Sequence, residues 1–384
     1  MATEAFITGP MLRWARLRDG LSVEDAAKAV DVTAERVLAW EDGDQRPTLK
    51  KAQALAHKLN IPFAYLFLSE PPAEAIPLPD LRTVAGQSLT QPSPGLLWIV
   101  NDALSKQEWY REYLIEGGAG PVPFIGSFSE NDDPFAIAES IRSNLSIDDQ
   151  LRARATSWDN FLTLFVRQSE AQGVTVLRSG IVGNNTSRTL SVEEFRGFAI
   201  VDDVAPLVFV NSSDAKVARI FTLAHEIAHL WIAESGVSNP SYRTKTTEQP
   251  NSIERVCNKV AAEVLAPADR FRQLWNDGER LEANLDRLAR VFRVSRFVLL
   301  RQAFDLDKVD QDLYWAHYDE LLSQSGRGSD DRGNFYNNLL AKSSTRLTEA
   351  LLSSLAHGGV SYRDAARLLN VKVGQLDKIR DNLR

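Results

Sequence analysis

The stretch FTLAHEIAHLWIAESG, residues Phe221–Gly236, carries two histidines four positions apart, and a glutamate directly follows the first. On an α-helix, His225 and His229 lie one turn apart on the same face, so both imidazoles can reach one metal ion. Glu226 is about 100° further round, where a general base can approach a metal-bound water without being a ligand. The alternative is a core helix whose two buried histidines have other partners.

A third ligand decides between these alternatives, because a catalytic zinc site normally has three protein ligands and a water molecule. The chain has five histidines, and none follows His229 closely enough for the extended arrangement HExxHxxGxxH. The third ligand is therefore expected to be a carboxylate. The segment SIERVCNKVAAEVLAP (252–267) offers Glu254 and Glu263, which fall on opposite faces of a helix.

The residues around these two glutamates favour Glu254. Its helix face is mostly apolar, and a carboxylate in such surroundings needs a compensating cation. Glu263 follows Lys259 by one turn, which is a common pairing on the solvent side of a helix. The sequence therefore predicts Glu254 as the third ligand and places Glu263 toward solvent.

The composition is that of a folded, globular protein. A chain of 384 residues is expected to form two or three domains, and its 44% apolar and 25% charged residues are ordinary. There is no apolar signal-peptide core near the start and no apolar run long enough to span a membrane. These two observations predict no membrane association. Cys257 is the single cysteine, so no disulfide can form within the chain and we expect a reducing cytoplasm. The net charge of −7 does not indicate nucleic-acid binding by the chain as a whole.

Residues 11–68 have the pattern of a compact set of short helices. Ser22 is a helix N-cap with Asp25 at the capping-box position, and Thr33 caps the next helix. The turn between these two helices falls at Asp31-Val32. The segment therefore predicts a helix-turn-helix module.

The rest of the chain predicts an α+β fold that is mainly helical. Six prolines mark the stretch 71–94, and helices are expected at 96–116 and within 134–172. Short β-rich runs follow, and these are GVTVLRSG (173–180), FRGFAIV (195–201) and PLVFVN (206–211). After residue 250 the pattern is helical again, apart from the loop SQSGRGSDDRG (323–333).

Two segments at opposite ends of the chain resemble each other. LSVEDAAKAVDV (21–32) and VSYRDAARLLNV (360–371) share a serine, an aspartate, an Ala-Ala pair, a basic residue and a valine at the same offsets. This pattern predicts a second helix-turn-helix-like unit near the C-terminus. The alternative is that any short, capped amphipathic helix has the same pattern.

Four segments in the middle of the chain resemble one known family. RGFAI, PLVFVN, FTLAHEIAHL and IERVCNKVAAEVLAP, in this order and spacing, are similar to the ImmA/IrrE family of metallopeptidases. The resemblance implies a zincin-like peptidase domain with a small β-sheet, and Zn²⁺ as its cofactor. It also implies that His225, His229 and Glu254 are the zinc ligands and that Glu226 is the catalytic glutamate.

Residues 11–68 resemble an Xre-type helix-turn-helix module. In such modules the second helix enters the major groove of double-stranded DNA, so Thr33, Ala34, Glu35 and Arg36 are expected to contact an operator. Nine Lys/Arg and eight Asp/Glu lie between Met11 and Lys58, which is a poor balance for binding phosphates. A homodimer would concentrate the basic side, and protein docking is the alternative role.

These expectations define the domain organisation and the function. The expected segments are a helix-turn-helix domain at 1–70, a proline-rich linker and helical connector at 71–133, an ImmA/IrrE-like metallopeptidase domain at 134–300, and a helical region with a possible second unit at 301–384. The resemblance implies a zinc endopeptidase and transcriptional regulator that cleaves one protein, a repressor or antitoxin, in a stress, mobile-element or toxin–antitoxin setting. The alternative is a non-proteolytic DNA-binding repressor or antitoxin with a structural or vestigial zinc site.

Two further expectations concern substrate binding. His317 is a candidate for stabilising the oxyanion, although a structural role in a helix is favoured. The strand PLVFVN lies just before the helix with both histidines, and it is expected to hold an extended substrate segment by β-addition.

Overall fold

A computed structural model describes residues 3–72, 74, 76–78, 83–84, 87–88, 92–238, 252–324 and 335–383. The α-helices are α1 (Gly9–Arg18), α2 (Val23–Ala29), α3 (Ala34–Glu41), α4 (Leu49–Lys58), α5 (Pro94–Glu116), α6 (Pro134–Leu145), α7 (Asp149–Arg154), α8 (Trp158–Ala171), α9 (Lys216–Trp231), α10 (Ser252–Leu265), α11 (Ala268–Leu274), α12 (Leu281–Phe292), α13 (Arg296–Asp305), α14 (Gln311–Gln324), α15 (Phe335–Ser343), α16 (Thr345–Ala356), α17 (Tyr362–Leu368) and α18 (Leu376–Leu383). Two 3₁₀ helices span Phe63–Phe67 and Val373–Gln375. The strands are β1 (Thr83–Val84), β2 (Gln87–Ser88), β3 (Thr175–Ser179), β4 (Ile181–Val182), β5 (Asn185–Thr189), β6 (Gly197–Ile200), β7 (Leu207–Asn211) and β8 (Gly236–Ser238).

This element order confirms a mainly helical α+β fold with a small sheet in the middle of the chain. The expected loop at 323–333 lies almost entirely outside the described residues. The chain divides into two compact units. One comprises Met1–Ile76 and Thr90–Trp98, and the other comprises Pro77–Leu89 and Ile99–Arg384. The finer domain boundaries expected from the sequence stay predictions.

The N-terminal unit contains the predicted helix-turn-helix, formed by α2, a turn and α3. The Ser22 side chain accepts a hydrogen bond from the Asp25 backbone N–H, and the Asp25 side chain accepts one from Ser22, so the capping box is present. Asp31 in the turn has a φ of 52°, a left-handed conformation that aspartate tolerates better than most residues. Val37 and Trp40 of α3 are buried in the core of this unit.

A buried ion pair joins α1 to α3 in the same unit. The Arg16 guanidinium donates to both Glu41 oxygens, over 2.6 Å and 2.9 Å. The Glu41 side chain has no exposed surface, and that of Arg16 is 10% exposed. Two-point contact of this kind fixes the relative orientation of the two groups, and it holds α3 against α1.

The second unit is built on a four-stranded sheet with the order β3-β7-β6-β8. β3 pairs with β7 in parallel, whereas β6 pairs with β7 and with β8 in antiparallel fashion. Both edges of β7 are therefore occupied by other strands. The expectation that PLVFVN binds substrate by β-addition is wrong, because an internal strand has no unpaired backbone groups to offer.

The helix α9 is the centre of this unit. It packs against β6 and β7 on one side and against α6, α8 and α10 on the other. Every residue from Ile220 to Trp231 is buried, which agrees with the apolar character of most of its faces. The two histidines and the glutamate of this helix therefore lie inside the protein rather than on its surface.

The C-terminal helices α16, α17 and α18 form a smaller apolar cluster, which also includes residues of α5 such as Tyr110. Ser361 caps α17, and Asn370 after that helix has a φ of 55°. Across the described part of the chain, no helix has both the length and the apolar character that crossing a membrane requires.

We expect Arg16→Met to destabilise the N-terminal unit by about 3–5 kcal/mol, because Glu41 would remain buried without its partner. Arg13 also contacts Glu41, at 3.4 Å, but its side chain is 48% exposed. Arg13→Ala is therefore a matched control with an expected cost of at most about 1 kcal/mol. Native-state hydrogen exchange of amides in α1 and α3 measures both effects. Equal losses of protection in the two variants would contradict this interpretation of the pair.

Candidate metal centre

Three potential ligands converge between α9 and α10. His225 and His229 lie one turn apart on α9, and neither has any exposed surface. Glu254 lies in the first turn of α10, which packs against α9, and it is 7% exposed. The structure thus brings together the three side chains that the sequence predicted as ligands, from positions far apart in the chain.

The distances within this cluster are short. The Nε2 atoms of His225 and His229 are 3.1 Å apart. The Glu254 carboxylate lies 3.2 Å from Nε2 of His225 and 3.3 Å from Nε2 of His229. Tetrahedral ligands around a zinc ion, with bonds of about 2.0–2.1 Å, lie roughly 3.3 Å from one another. The three separations therefore match those of ligands that share one small cation.

The chemistry of the donors points the same way. Only one of the two facing Nε2 atoms can donate a hydrogen bond to the other. Both atoms also face the Glu254 carboxylate. A cation among them would accept a lone pair from each ring and balance the charge of Glu254. Two imidazoles and one carboxylate form a donor set that suits zinc. The residues present therefore fit a Zn²⁺ ion.

The electrostatics of Glu254 depend on the histidines. Burial by itself raises the pKa of Glu254, but the charges and hydrogen bonds of His225 and His229 outweigh burial and hold its pKa well below the ordinary value. A carboxylate that stays ionised in the interior is available as a metal ligand. Cys257, one turn further along α10, is also buried, but burial raises its pKa, so its thiol stays protonated and is a poor ligand.

The surroundings of Glu263 differ from the sequence-based expectation. It is 7% exposed rather than directed to solvent. Its carboxylate accepts hydrogen bonds from the backbone N–H of Ala268 at 2.9 Å and from the side-chain amide of Gln302 at 3.1 Å, and it lies 3.4 Å from Arg142. The predicted pairing with Lys259 on a solvent-exposed face is therefore wrong. Glu263 connects α10 to the start of α11 and to α13, and it is not part of the group formed by His225, His229 and Glu254.

Glu226 lies beside the cluster with its side chain fully buried. Its Oε1 atom accepts a short hydrogen bond from the Ser238 hydroxyl on β8. Its Oε2 atom has no hydrogen-bond partner among the described residues. Burial raises the pKa of Glu226 to about 8, although His229 and Ser238 oppose this shift. One oxygen of this group is thus fixed. A cation held by His225, His229 and Glu254 would lower the pKa of Glu226 again and leave its other oxygen able to accept a proton near neutral pH.

Gly197 on β6 completes the surroundings of this carboxylate. A Cβ atom at Gly197 would lie 2.5 Å from Oε1 of Glu226 and 2.8 Å from the Phe209 carbonyl oxygen. In the sheet, Gly197 is paired with Ser238, so the two neighbouring strands supply the space and the donor together. Neither residue is among those predicted from the sequence. The sequence did offer one signal for Gly197, because a glycine within an apolar strand often marks the close approach of another group. No sequence pattern points to Ser238.

The remaining predicted residues lie outside this cluster. His317 is on α14, where its ring nitrogens lie 3.6 Å from Glu282 and 3.5 Å from Glu320. It is not part of the group of metal-binding side chains found among the described residues. In the N-terminal unit, Thr33 precedes α3, and Ala34, Glu35 and Arg36 form its first turn. Thr33, Glu35 and Arg36 are exposed, and Ala34 is partly buried.

We expect Gly197→Ala to destabilise the unit that contains the metal cluster by roughly 1–3 kcal/mol, because the added methyl group meets Glu226 and the backbone of β7. The control is Gly120→Ala, since a Cβ atom at Gly120 meets nothing within 4 Å. Thermal unfolding of the full chain followed by calorimetry measures the change in Tm. A Tm for Gly197→Ala that equals that of the control would show that the carboxylate has room to move.

Comparison with known families agrees with this geometry. Residues 170–304 match the family model of the IrrE N-terminal-like domain, Peptidase_M78, and residues 12–66 match that of a helix-turn-helix. The first match includes all of β3–β8 together with α9 and α10, and the second includes α2–α4 and the part of α1 from residue 12 onward. No curated protein matches the chain. The chain therefore carries a helix-turn-helix domain and an IrrE N-terminal-like domain of the Peptidase_M78 family, which confirms the resemblance seen in its sequence.

Proposed function

We propose that the protein is a zinc-dependent endopeptidase and a DNA-binding transcriptional regulator. Its expected substrate is one specific protein, a repressor or an antitoxin, in a stress, mobile-element or toxin–antitoxin setting within the cytoplasm. The observation that carries the proposal is the buried group of His225, His229 and Glu254, with the Glu226 carboxylate beside it. The family match to a peptidase domain and to a helix-turn-helix supports the two parts of this function.

In the proposed peptide hydrolysis, His225, His229 and Glu254 would hold a zinc ion. When bound, zinc would supply a Lewis acid that polarises the scissile carbonyl and makes water more acidic. Glu226 takes a proton from the attacking water on Oε2, which has no other partner among the described residues, and delivers it to the leaving amine. The hydroxyl of Ser238 keeps Oε1 in place, so the carboxylate does not rotate between the two transfers.

The alternative of a structural zinc site is less consistent with the cluster. Structural sites usually have four protein ligands, whereas the group found among the described residues has three. A structural site also has no use for a buried carboxylate beside the ligands, and burying Glu226 carries a free-energy cost. A cost of this kind is expected where the group takes part in a reaction.

We expect the purified protein to contain about one zinc ion per chain, and His225→Ala or Glu254→Ala to lower this to below roughly a tenth, because three ligands are the usual minimum. Glu263→Gln is the control on the same helix, and it should retain full zinc. Mass spectrometry of the metal content gives the result. Full zinc in Glu254→Ala together with its loss in Glu263→Gln would reverse the assignment of the third ligand.

We expect Glu226→Gln to abolish cleavage, with a loss of at least about a hundredfold, and to preserve zinc content, since it removes the base and leaves all three ligands. Cells that produce the unmodified protein under inducing stress should contain new protein N-termini that are missing with Glu226→Gln. Glu234→Gln, an exposed position just after α9, is the control and should behave as the unmodified protein. If the unmodified protein, Glu226→Gln and Glu234→Gln all gave the same new termini, the endopeptidase proposal would be wrong and the protein would be a non-proteolytic regulator.

A further inference from the structure

The C-terminal helices repeat the arrangement of the N-terminal helix-turn-helix. The Ser22 hydroxyl accepts from the Asp25 N–H at 3.0 Å, and the Ser361 hydroxyl accepts from the Asp364 N–H at 3.1 Å. After the capped helix, Asn370 has a left-handed φ of 55°, close to the 52° at the equivalent turn residue of the N-terminal unit. Both segments therefore turn in the same way between two helices.

The buried positions of the two units also correspond. In each unit, a preceding helix supplies a buried leucine, the capped helix a pair of buried alanines, and the last helix two buried apolar side chains. In chain order these are Leu12, Ala26, Ala27, Val37 and Trp40 in the first unit and Leu351, Ala365, Ala366, Leu376 and Ile379 in the second. The α16–α18 unit thus has the three-helix arrangement of a helix-turn-helix, and its apolar cluster also includes residues of α5.

The groove-facing surfaces of the two units differ in charge. In a helix-turn-helix this surface comprises the start of the first helix and the exposed side of the second. On α2 and α3 its charged residues are Glu24, Asp25, Glu35 and Arg36, with a net charge of −2. On α17 and the segment 372–378 they are Arg363, Asp364, Lys372, Asp377 and Lys378, all exposed, with a net charge of +1. The second surface is therefore better suited to a polyanion.

Neighbouring contacts increase this difference. The Asp377 carboxylate pairs with Arg380 at 3.0 Å, which offsets its charge. Arg363, Lys372 and Lys378 have no recorded ion pair with a carboxylate in the described part of the chain. Tyr362 and Val373, on the same surface, are 47% and 49% exposed and can contact sugars and bases.

Several contacts fix this unit to the rest of its compact unit. Residues of α5, including Trp109 and Tyr113, pack against its apolar cluster. The side-chain amide of Asn370 donates to Asp102 on α5 at 2.8 Å. These contacts leave the starts of α17 and of the segment 372–378 at the surface.

We propose that the α16–α18 unit is a second double-stranded DNA-binding element of this protein. The segment Lys372–Lys378 enters the major groove, and Arg363 at the start of α17 contacts a flanking phosphate. Lys372 and Lys378 supply the charge that the N-terminal surface lacks. This element binds DNA independently of the peptidase reaction, so the proposal does not depend on the proposed catalysis.

Binding of the full chain to a labelled, mixed-sequence DNA duplex of about 30 base pairs, followed by fluorescence anisotropy at several salt concentrations, tests the proposal. Lys372→Ala combined with Lys378→Ala should weaken binding at least about tenfold and reduce the salt slope by roughly 1.8, because two phosphate-neutralising charges are lost. Arg154→Ala combined with Arg290→Ala removes two exposed charges elsewhere and should have little effect. Arg36→Ala in α3 should have a smaller effect than the C-terminal pair.

Several outcomes would overturn the proposal. These are no binding by the unmodified protein, equal binding by the C-terminal variant and the control, and equal affinity for an RNA duplex of the same sequence. Circular dichroism and zinc content establish that each variant is folded, and Lys372→Glu with Lys378→Glu should weaken binding further than the alanines. Sedimentation velocity should give the same mass for all variants. A change of mass caused by the C-terminal variant would instead identify this surface as an interface between copies of the chain.

Discussion

The burial of ionisable side chains at one point beneath α9 is the constraint on which the rest of the central unit depends. His225, His229 and Glu226 have no exposed surface, and Glu254 is nearly as well buried. Such a group in the interior is costly unless a cation compensates the carboxylates and engages the ring nitrogens. The packing of α10 on α9 brings Glu254 to this point, and the short strand β8 brings the Ser238 hydroxyl to Glu226.

The group of His225, His229 and Glu254 could be predicted from the sequence, because the relative positions of side chains on one helix follow from their spacing in the chain. The four-residue spacing of His225 and His229 fixes their common face, and helical periodicity separates Glu254 from Glu263. The capping box at Ser22 is equally local. The order of strands, by contrast, depends on pairing between distant segments, so the internal position of β7 was not predictable. The same holds for the hydrogen bonds of Glu263, which come from α11 and α13.

The distribution of charge shows why a total charge is a poor guide to binding. The chain has a net charge of −7, and the groove-facing surface of its N-terminal helix-turn-helix is also net negative. The sequence similarity between 21–32 and 360–371 concerns the caps, the small buried residues and the turn, all of which determine the fold. The charge at an exposed position of the capped helix is reversed, since Glu24 in the first segment corresponds to Arg363 in the second. A repeated fold therefore does not imply a repeated binding specificity.

The absence of a side chain at position 197 has an evolutionary consequence. A Cβ atom there would meet both the Glu226 carboxylate and the Phe209 carbonyl oxygen, so the glutamate is one of two groups that exclude a side chain. A related chain that has lost the glutamate keeps only the backbone contact, and a small shift of β6 then makes room for alanine or serine at that position. Among related proteins, a substitution at position 197 should therefore be more frequent where position 226 is no longer a glutamate.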